Sequence, residues 1–282
     1  MTHSAIPDFL LEDMIKRALN EDLGGAGDIT SRAVIPDGIE YQASLNARGF
    51  GVISGMQIAQ LAFNIIDPKL EVKTLLPDGS NVVSKDICMT IKGNAKSILM
   101  AERVALNFAG RLSGNATMTA AFVAEAENTK AKITCTRKTT PGMRLVEKEA
   151  VRHGGGSNHR FGLSDAIMIK DNHIAAAGSI QKVLERARDF ASHMSTIEIE
   201  VDTLKQLEEV LRVGGADAVL LDNMTNTDMV TAVQMVNRVM VIEASGNMTL
   251  DRISSVAATG VDYISVGALT HTMANFDLGL DF

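Results

Sequence analysis

Short β-rich runs recur through the second half of this chain, and the last four of them begin at residues 196, 218, 239 and 262, about 22 residues apart. That interval accommodates a strand, a turn, a helix and a second turn, and little else. Antiparallel neighbours need only a hairpin, so a chain that repeats this interval is committed to parallel strands joined by right-handed crossovers. The runs are Lys132–Thr136, Ala166–Ile169, Thr196–Val201, Ala218–Leu221, Val239–Ile242 and Asp262–Val266. Helical patterns separate them, for example Ser179–Ala191, Thr203–Val213, Thr227–Val236 and Thr249–Ala258. An α/β barrel and a doubly wound sheet both satisfy this beat.

The first 95 residues read differently. Turn signals (Gly24-Gly25, Pro36-Asp37-Gly38, Asp67-Pro68, Pro77-Asp78-Gly79) break the apolar pattern, and Tyr41–Ala47 and Glu71–Leu76 alternate like strands. Between Ser97 and Glu127 a long proline-free apolar segment predicts one or two buried helices joining two domains. The expected division is a mixed α/β domain over residues 1–114, with the tail 274–282 packing against it, and a barrel domain over 115–273.

Charge narrows the function classes. The net charge of −7 argues against an electrostatically driven nucleic-acid binder. Residues 137–170 are the exception, with seven basic residues against three acidic ones, a balance of +4 that leaves −11 for the remainder. Such a stretch is either the wall of a pocket for a small anion or a solvated helix face. Cys88 and Cys135 cannot form a disulfide framework and lie at no zinc-binding spacing, which favours a reducing compartment. Residues 1–20 lack a signal-peptide layout and no run is long enough to span a membrane, so a cytoplasmic protein is expected.

Chemically capable residues follow or end the strands: Arg137-Lys138, Lys170-Asp171-Asn172-His173, Glu200 with Asp202, Asp222-Asn223, Glu243 to Asn247, and Gly267. Active sites of parallel α/β folds lie at that end, where loops converge and helix N-termini direct amides inward. Several alternatives fail. Position 54 is Ser where G-x-G-x-x-G needs glycine, and no G-x-x-x-x-G-K or G-x-S-x-G occurs. The stretch Gly154-Gly155-Gly156 either ends a helix or brings backbone close to a ligand. Arg137, Arg160 and Lys170 can neutralise a dicarboxylate. Glu200 and Asp222 can hold sugar hydroxyls or a Mg²⁺ ion bridging phosphate oxygens. Ser245-Gly246-Asn247 and Gly267-Ala268 stand where barrel enzymes bind phosphate through backbone amides.

The motifs Thr136-Arg137-Lys138-Thr139-Thr140-Pro141-Gly142-Met143-Arg144, Gly154 to Arg160, Lys170-Asp171-Asn172-His173, Leu221-Asp222-Asn223-Met224, Glu243 to Asn247 and Ser265 to His271 together resemble the quinolinate phosphoribosyltransferase family. Glu21-Asp22-Leu23-Gly24, Gly27-Asp28-Ile29-Thr30 and Ala101 to Asn107 match the same family, so the resemblance runs through nearly the whole chain in order. It implies a type II phosphoribosyltransferase: an incomplete, TIM-like α/β barrel with an N-terminal α/β sandwich-like domain. The implied reaction joins quinolinate to phosphoribosyl pyrophosphate and releases nicotinate mononucleotide, pyrophosphate and CO₂ in de novo NAD biosynthesis. It also implies Mg²⁺ as cofactor and a dimer or hexamer whose subunits complete one another's sites; from charge and hydropathy, no nucleic-acid or membrane partner is expected.

Carried over residue by residue, the resemblance assigns quinolinate to Arg103 (from a neighbouring subunit), Thr136, Arg137, His159, Arg160 and Lys170. Phosphoribosyl pyrophosphate falls to Lys138, Glu200, Asp222, Ser245, Gly246, Asn247, Val266, Gly267, Ala268 and His271. Lys138, Glu200 and Asp222 are the catalytic set, with Glu200 and Asp222 holding the metal directly or through water. Two other readings of these residues remain: an anion-binding paralogue without turnover, and an aldolase with a Schiff-base lysine at Lys170.

Overall fold

The computed structural model describes residues 6–282; residues 1–5 of the expected first domain lie outside the described residues. In chain order the elements are α1 (Asp8–Leu23), α2 (Ile29–Val34), β1 (Glu40–Ala47), β2 (Gly51–Val52), α3 (Met56–Ile66), β3 (Glu71–Thr74), β4 (Asn81–Val82), β5 (Ile87–Asn94) and α4 (Ala95–Ala126). There follow β6 (Lys132–Thr134), α5 (Arg144–His153), β7 (Ile167–Ile169), α6 (Asp171–Ala177), α7 (Ile180–Phe190), β8 (Ile197–Val201), α8 (Leu204–Val213), β9 (Ala218–Asp222), α9 (Asn226–Val236), β10 (Val241–Ser245), α10 (Leu250–Ala257), β11 (Tyr263–Ser265), α11 (Ala268–His271) and β12 (Leu278–Asp281). Among the described residues no helix is long and apolar enough to cross a membrane.

Contacts divide the described residues into two units: residues 6–118, 141–155 and 273–282 form the first, and residues 119–140 and 156–272 the second. The units change over at 118/119 and 272/273, where 114/115 and 273/274 were expected, and α5 groups with the first unit although its sequence lies inside the barrel half. Its Val146 and Ala150 are buried in the first unit's core together with Ile15, Leu45, Phe63 and Ile98. That core lies under an antiparallel sheet ordered β12-β1-β5-β3. The segment expected to hold one or two helices is a single helix of 32 residues, α4.

The second unit is a six-stranded parallel sheet ordered β6-β11-β10-β9-β8-β7. Successive strands from β7 to β11 are neighbours, and β6 joins the far side of β11. A doubly wound sheet reverses its strand order partway; this one does not, so it is a barrel left open between β6 and β7. Local chemistry starts the outer helices where they are needed. Ser179, Thr203 and Thr225 accept hydrogen bonds from the first-turn amides of α7, α8 and α9, and Thr203 with Gln206 forms a full capping box.

One expected strand shifts. β10 begins at Val241 rather than Val239 and runs on to Ser245. Asn237 and Arg238 both adopt left-handed backbone (φ 44° and 67°), so the exit from α9 extends further than an apolar run suggests. The ladder starts only where the Val241 amide donates to Asp217 O at 3.1 Å. Glu243, expected just after the strand, is therefore inside it.

Candidate active site

Register decides which side chains meet in the second unit. Lys170 follows Ile169, which pairs with Ile199, so it comes level with Glu200. Glu200 pairs with Leu220, Leu220 with Glu243, and Asp222 with Ser245. Because side chains two residues apart share a face, Glu198, Glu200, Leu220, Asp222, Glu243 and Ser245 all project to the same side of the sheet. A cavity of about 780 Å³ opens there, lined by Thr136, Arg137, Lys138, His159, Arg160, Lys170, Glu200, Asp222, Ser245, Gly246, Asn247, Gly267, Ala268 and His271 among others.

Two expected site residues are not in that lining. Val266 is buried and its amide donates to Thr134 O at 2.9 Å, so it is a core residue that fixes β11 against β6. Arg103 belongs to the first unit, on α4, with its side chain 63% exposed and its guanidinium 4.0 Å from Glu102. Of the seven basic residues in the +4 stretch, Arg137, Lys138, Arg160 and Lys170 line the cavity, whereas Arg144, Lys148 and Arg152 lie on α5. The triple glycine ends that helix: the Gly154 amide donates to Ala150 O at 3.0 Å, and Gly155 takes φ 85°.

Arg160 is the most exacting member. Its Nη1 donates to Ala166 O at 3.1 Å, while its buried Nε has no hydrogen-bond partner. Burial, followed by the neighbouring Arg137 guanidinium, lowers its pKa, against the opposing pull of Asp165 and Glu198. A guanidinium that feels a second cation and keeps a donor without a partner forms a site that an anion stabilises. Lys170 is ion-paired with Glu200.

Lys138 is held by its backbone. Its amide donates to Thr136 Oγ1 at 3.1 Å and its carbonyl accepts from the buried Thr270 Oγ1 at 2.7 Å. A β-carbon at Gly267 would lie 3.0 Å from His271 Nε2 and 3.3 Å from Lys138 Cδ, so glycine there lets both side chains close in.

Three side chains cluster at this surface, His159 and Glu243 lining the cavity and Glu198 buried beside them. His159 Nδ1 accepts from the Arg160 amide at 2.7 Å, and its Nε2 lies 3.1 Å from Glu198 Oε2 and 3.6 Å from Glu243 Oε2. Burial, then the charge of Glu198, pushes Glu243 up to about 7, opposed by His159, Ser265 and Lys170. Glu198 was not anticipated as part of the site, and Glu243 was read only as a strand-end residue. The signal that would have found both is parity: each shares the strand face of Glu200 or Asp222, and a carboxylate in a strand interior needs a partner.

Two family models match the chain, the N-terminal domain of quinolinate phosphoribosyl transferase over residues 28–113 and its C-terminal domain over residues 115–281. The chain is similar to a mitochondrial quinolinate phosphoribosyltransferase (decarboxylating) 2b of Nicotiana tabacum, 40% identical across 98% of this chain and 83% of that protein. A probable nicotinate-nucleotide pyrophosphorylase (carboxylating) of Bacillus subtilis is also 40% identical, across 95% of this chain and 93% of its own length. The solved structure of NadC from Streptococcus pyogenes superposes with a TM-score of 0.95 at 39% identity, covering 99% of this chain and 98% of that one.

Proposed function

This chain belongs to the quinolinate phosphoribosyltransferase family, and from that premise we propose which of its residues carry each part of the reaction. The enzyme transfers the phosphoribosyl group of phosphoribosyl pyrophosphate to the ring nitrogen of quinolinate, with loss of CO₂. Quinolinate carries two adjacent carboxylates, and the paired guanidiniums of Arg137 and Arg160 with the ammonium of Lys170 supply the matching cations. The observation that carries this assignment is the unpartnered, buried Nε of Arg160 beside a second guanidinium. His159 holds the Arg160 backbone through Nδ1, and Thr136 shapes the turn through the Lys138 amide.

Phosphoribosyl pyrophosphate is assigned to the other half of the cavity. There the amides of Ser245, Gly246, Asn247, Gly267 and Ala268 offer donors to phosphate oxygens, and Lys138 and His271 bring polar side chains to the same place. Glu200 and Asp222 end adjacent strands on a shared face and offer only oxygen donors, which fits Mg²⁺. Two carboxylates are too few for a closed cage, so they suit an ion that arrives with the pyrophosphate and keeps waters. When bound, Mg²⁺ supplies charge neutralisation for the departing pyrophosphate. The chain's part is to align the pyridine nitrogen with the anomeric carbon and to place carboxylates near the oxocarbenium-like centre. No covalent nucleophile is needed. Once the nitrogen is ribosylated, its positive charge stabilises the carbanion left by the departing carboxylate, so the protein need only hold the ring and exclude water.

We also assign Arg103 to the quinolinate site of a neighbouring subunit in a dimer or hexamer; its exposed guanidinium supports that role. Two-substrate kinetics test the division of the cavity. Arg137→Gln and Lys170→Met should raise the KM for quinolinate, and Glu200→Gln and Asp222→Asn the KM for phosphoribosyl pyrophosphate and the Mg²⁺ requirement. If both groups shift both constants equally, the division is wrong.

A further inference from the structure

The loops after β9 and β10 are held together by a residue outside the cavity lining. Arg252 stands in the first turn of α10, an unfavourable place for a cation because the amide end of a helix is itself positive. Its half-buried guanidinium turns back from the helix: Nη1 donates to Gly246 O at 3.2 Å and Nη2 to Met224 O at 3.0 Å. One fork thus ties the Asp222-Asn223-Met224 loop to the Ser245-Gly246-Asn247 loop.

Both loops need such a tie. Asn223, Gly246 and Asn247 all have left-handed backbone, at φ 53°, 92° and 49°. The Asn223 amide donates to Ser245 O at 3.0 Å, Asn247 Nδ2 donates to Asn223 Oδ1 at 3.1 Å, and Asn223 Nδ2 donates to Asp222 Oδ2 at 2.8 Å. A β-carbon at Gly246 would lie 2.9 Å from the Asn223 nitrogen, so the two loops meet without spare room. Every bond in this set bears on the orientation of the Asp222 carboxylate or of the Ser245–Asn247 backbone.

We propose that Arg252 is a positioning residue for the phosphoribosyl pyrophosphate half of the site, locking the carboxylate loop and the phosphate loop into one preformed surface. The inference rests on assigning Asp222 and Ser245–Asn247 to that substrate. Preorganised donors do not have to be ordered when the substrate arrives, which is where such a clamp acts. A planar fork can reach two carbonyls at once and a lysine ammonium cannot copy that geometry.

The experiment is two-substrate steady-state kinetics on the full chain at saturating Mg²⁺, for Arg252→Met and Arg252→Lys, with Asp222→Asn in parallel. Loss of charge-assisted hydrogen bonds predicts that Arg252→Met raises the KM for phosphoribosyl pyrophosphate about tenfold or more. The KM for quinolinate should stay within about twofold, with Arg252→Lys between wild type and Arg252→Met. Methylguanidinium added to Arg252→Ala should lower the raised KM, a rescue that a general packing defect does not show. The clamp is refuted if both KM values rise together, or if Asp222→Asn raises the phosphoribosyl pyrophosphate KM and Arg252→Met does not. An Asp222→Asn variant with an unchanged KM overturns the substrate assignment, and the clamp with it. Should Arg252→Met not fold, Arg252→Lys decides by the same comparison of the two KM values.

Discussion

Replacing Arg160 with glutamine separates a binding role from a structural one. Without ligand, the wild-type side chain makes one hydrogen bond, to Ala166 O, and carries a buried charge beside Arg137. Glutamine can keep a neutral hydrogen bond at a net loss of about 1 kcal/mol. Relief from burying a charge and from like-charge repulsion acts in the opposite direction. The unliganded variant should therefore unfold within about 2 °C of wild type, the shift that about 1 kcal/mol produces in a chain of this size.

Quinolinate changes the comparison. At a concentration of about 100 Kd it stabilises wild type by about 2.7 kcal/mol, or roughly 5 °C. The Nε edge of Arg160 offers a carboxylate charge-assisted hydrogen bonds, and losing about 3 kcal/mol of binding lowers affinity roughly 150-fold. The same quinolinate concentration then lies below the variant's Kd, and its stabilisation falls to about 0.3 kcal/mol, under 1 °C. Thermal unfolding with and without quinolinate, in the absence of phosphoribosyl pyrophosphate, reads both quantities. A variant that loses several degrees without ligand yet keeps the wild-type quinolinate shift would place Arg160 in the architecture and not in the site.

Two further outcomes follow from the same geometry. Glu243 is held at about 7 in the folded protein against an ordinary value of 4.5, so between these pH values the folded state binds the extra proton and stability falls as pH rises. Glu243→Gln should flatten that slope, and denaturant midpoints from pH 4.5 to 8 that fall as steeply as wild type would contradict the burial argument. Arg103→Ala and Lys138→Ala enzymes should each be impaired, and subunit exchange between them should restore part of the activity; mixed oligomers with no recovery would rule out a site shared between subunits.

The alternation of parallel strands and helices was legible because its signal is a period, whereas the choice of a barrel over a doubly wound sheet rested on the family resemblance. Four strands 22 residues apart leave few topologies, and reactive side chains at their ends mark one rim as the candidate site. What escaped depends on geometry that residue types do not encode. The start of β10 moved because Asn237 and Arg238 turn left-handed. Val266 lies in a motif beside Gly267, but alternation along the chain turns it into the core. Glu198 and Glu243 are strand-interior carboxylates, visible only once register places them against His159. Arg252 works through two backbone carbonyls, and no side-chain pattern announces that. The grouping of α5 with the first unit is a tertiary contact that chain order conceals.

The central claim is that one cavity performs both the transfer and the decarboxylation. It is tested most directly by incubating the purified chain with phosphoribosyl pyrophosphate, Mg²⁺ and quinolinate labelled in the carboxyl group next to the ring nitrogen. Labelled CO₂, pyrophosphate and nicotinate mononucleotide released in equal amounts, all abolished together in Lys138→Ala, are the predicted result. Binding of both substrates with no product, or pyrophosphate release without labelled CO₂, would contradict it.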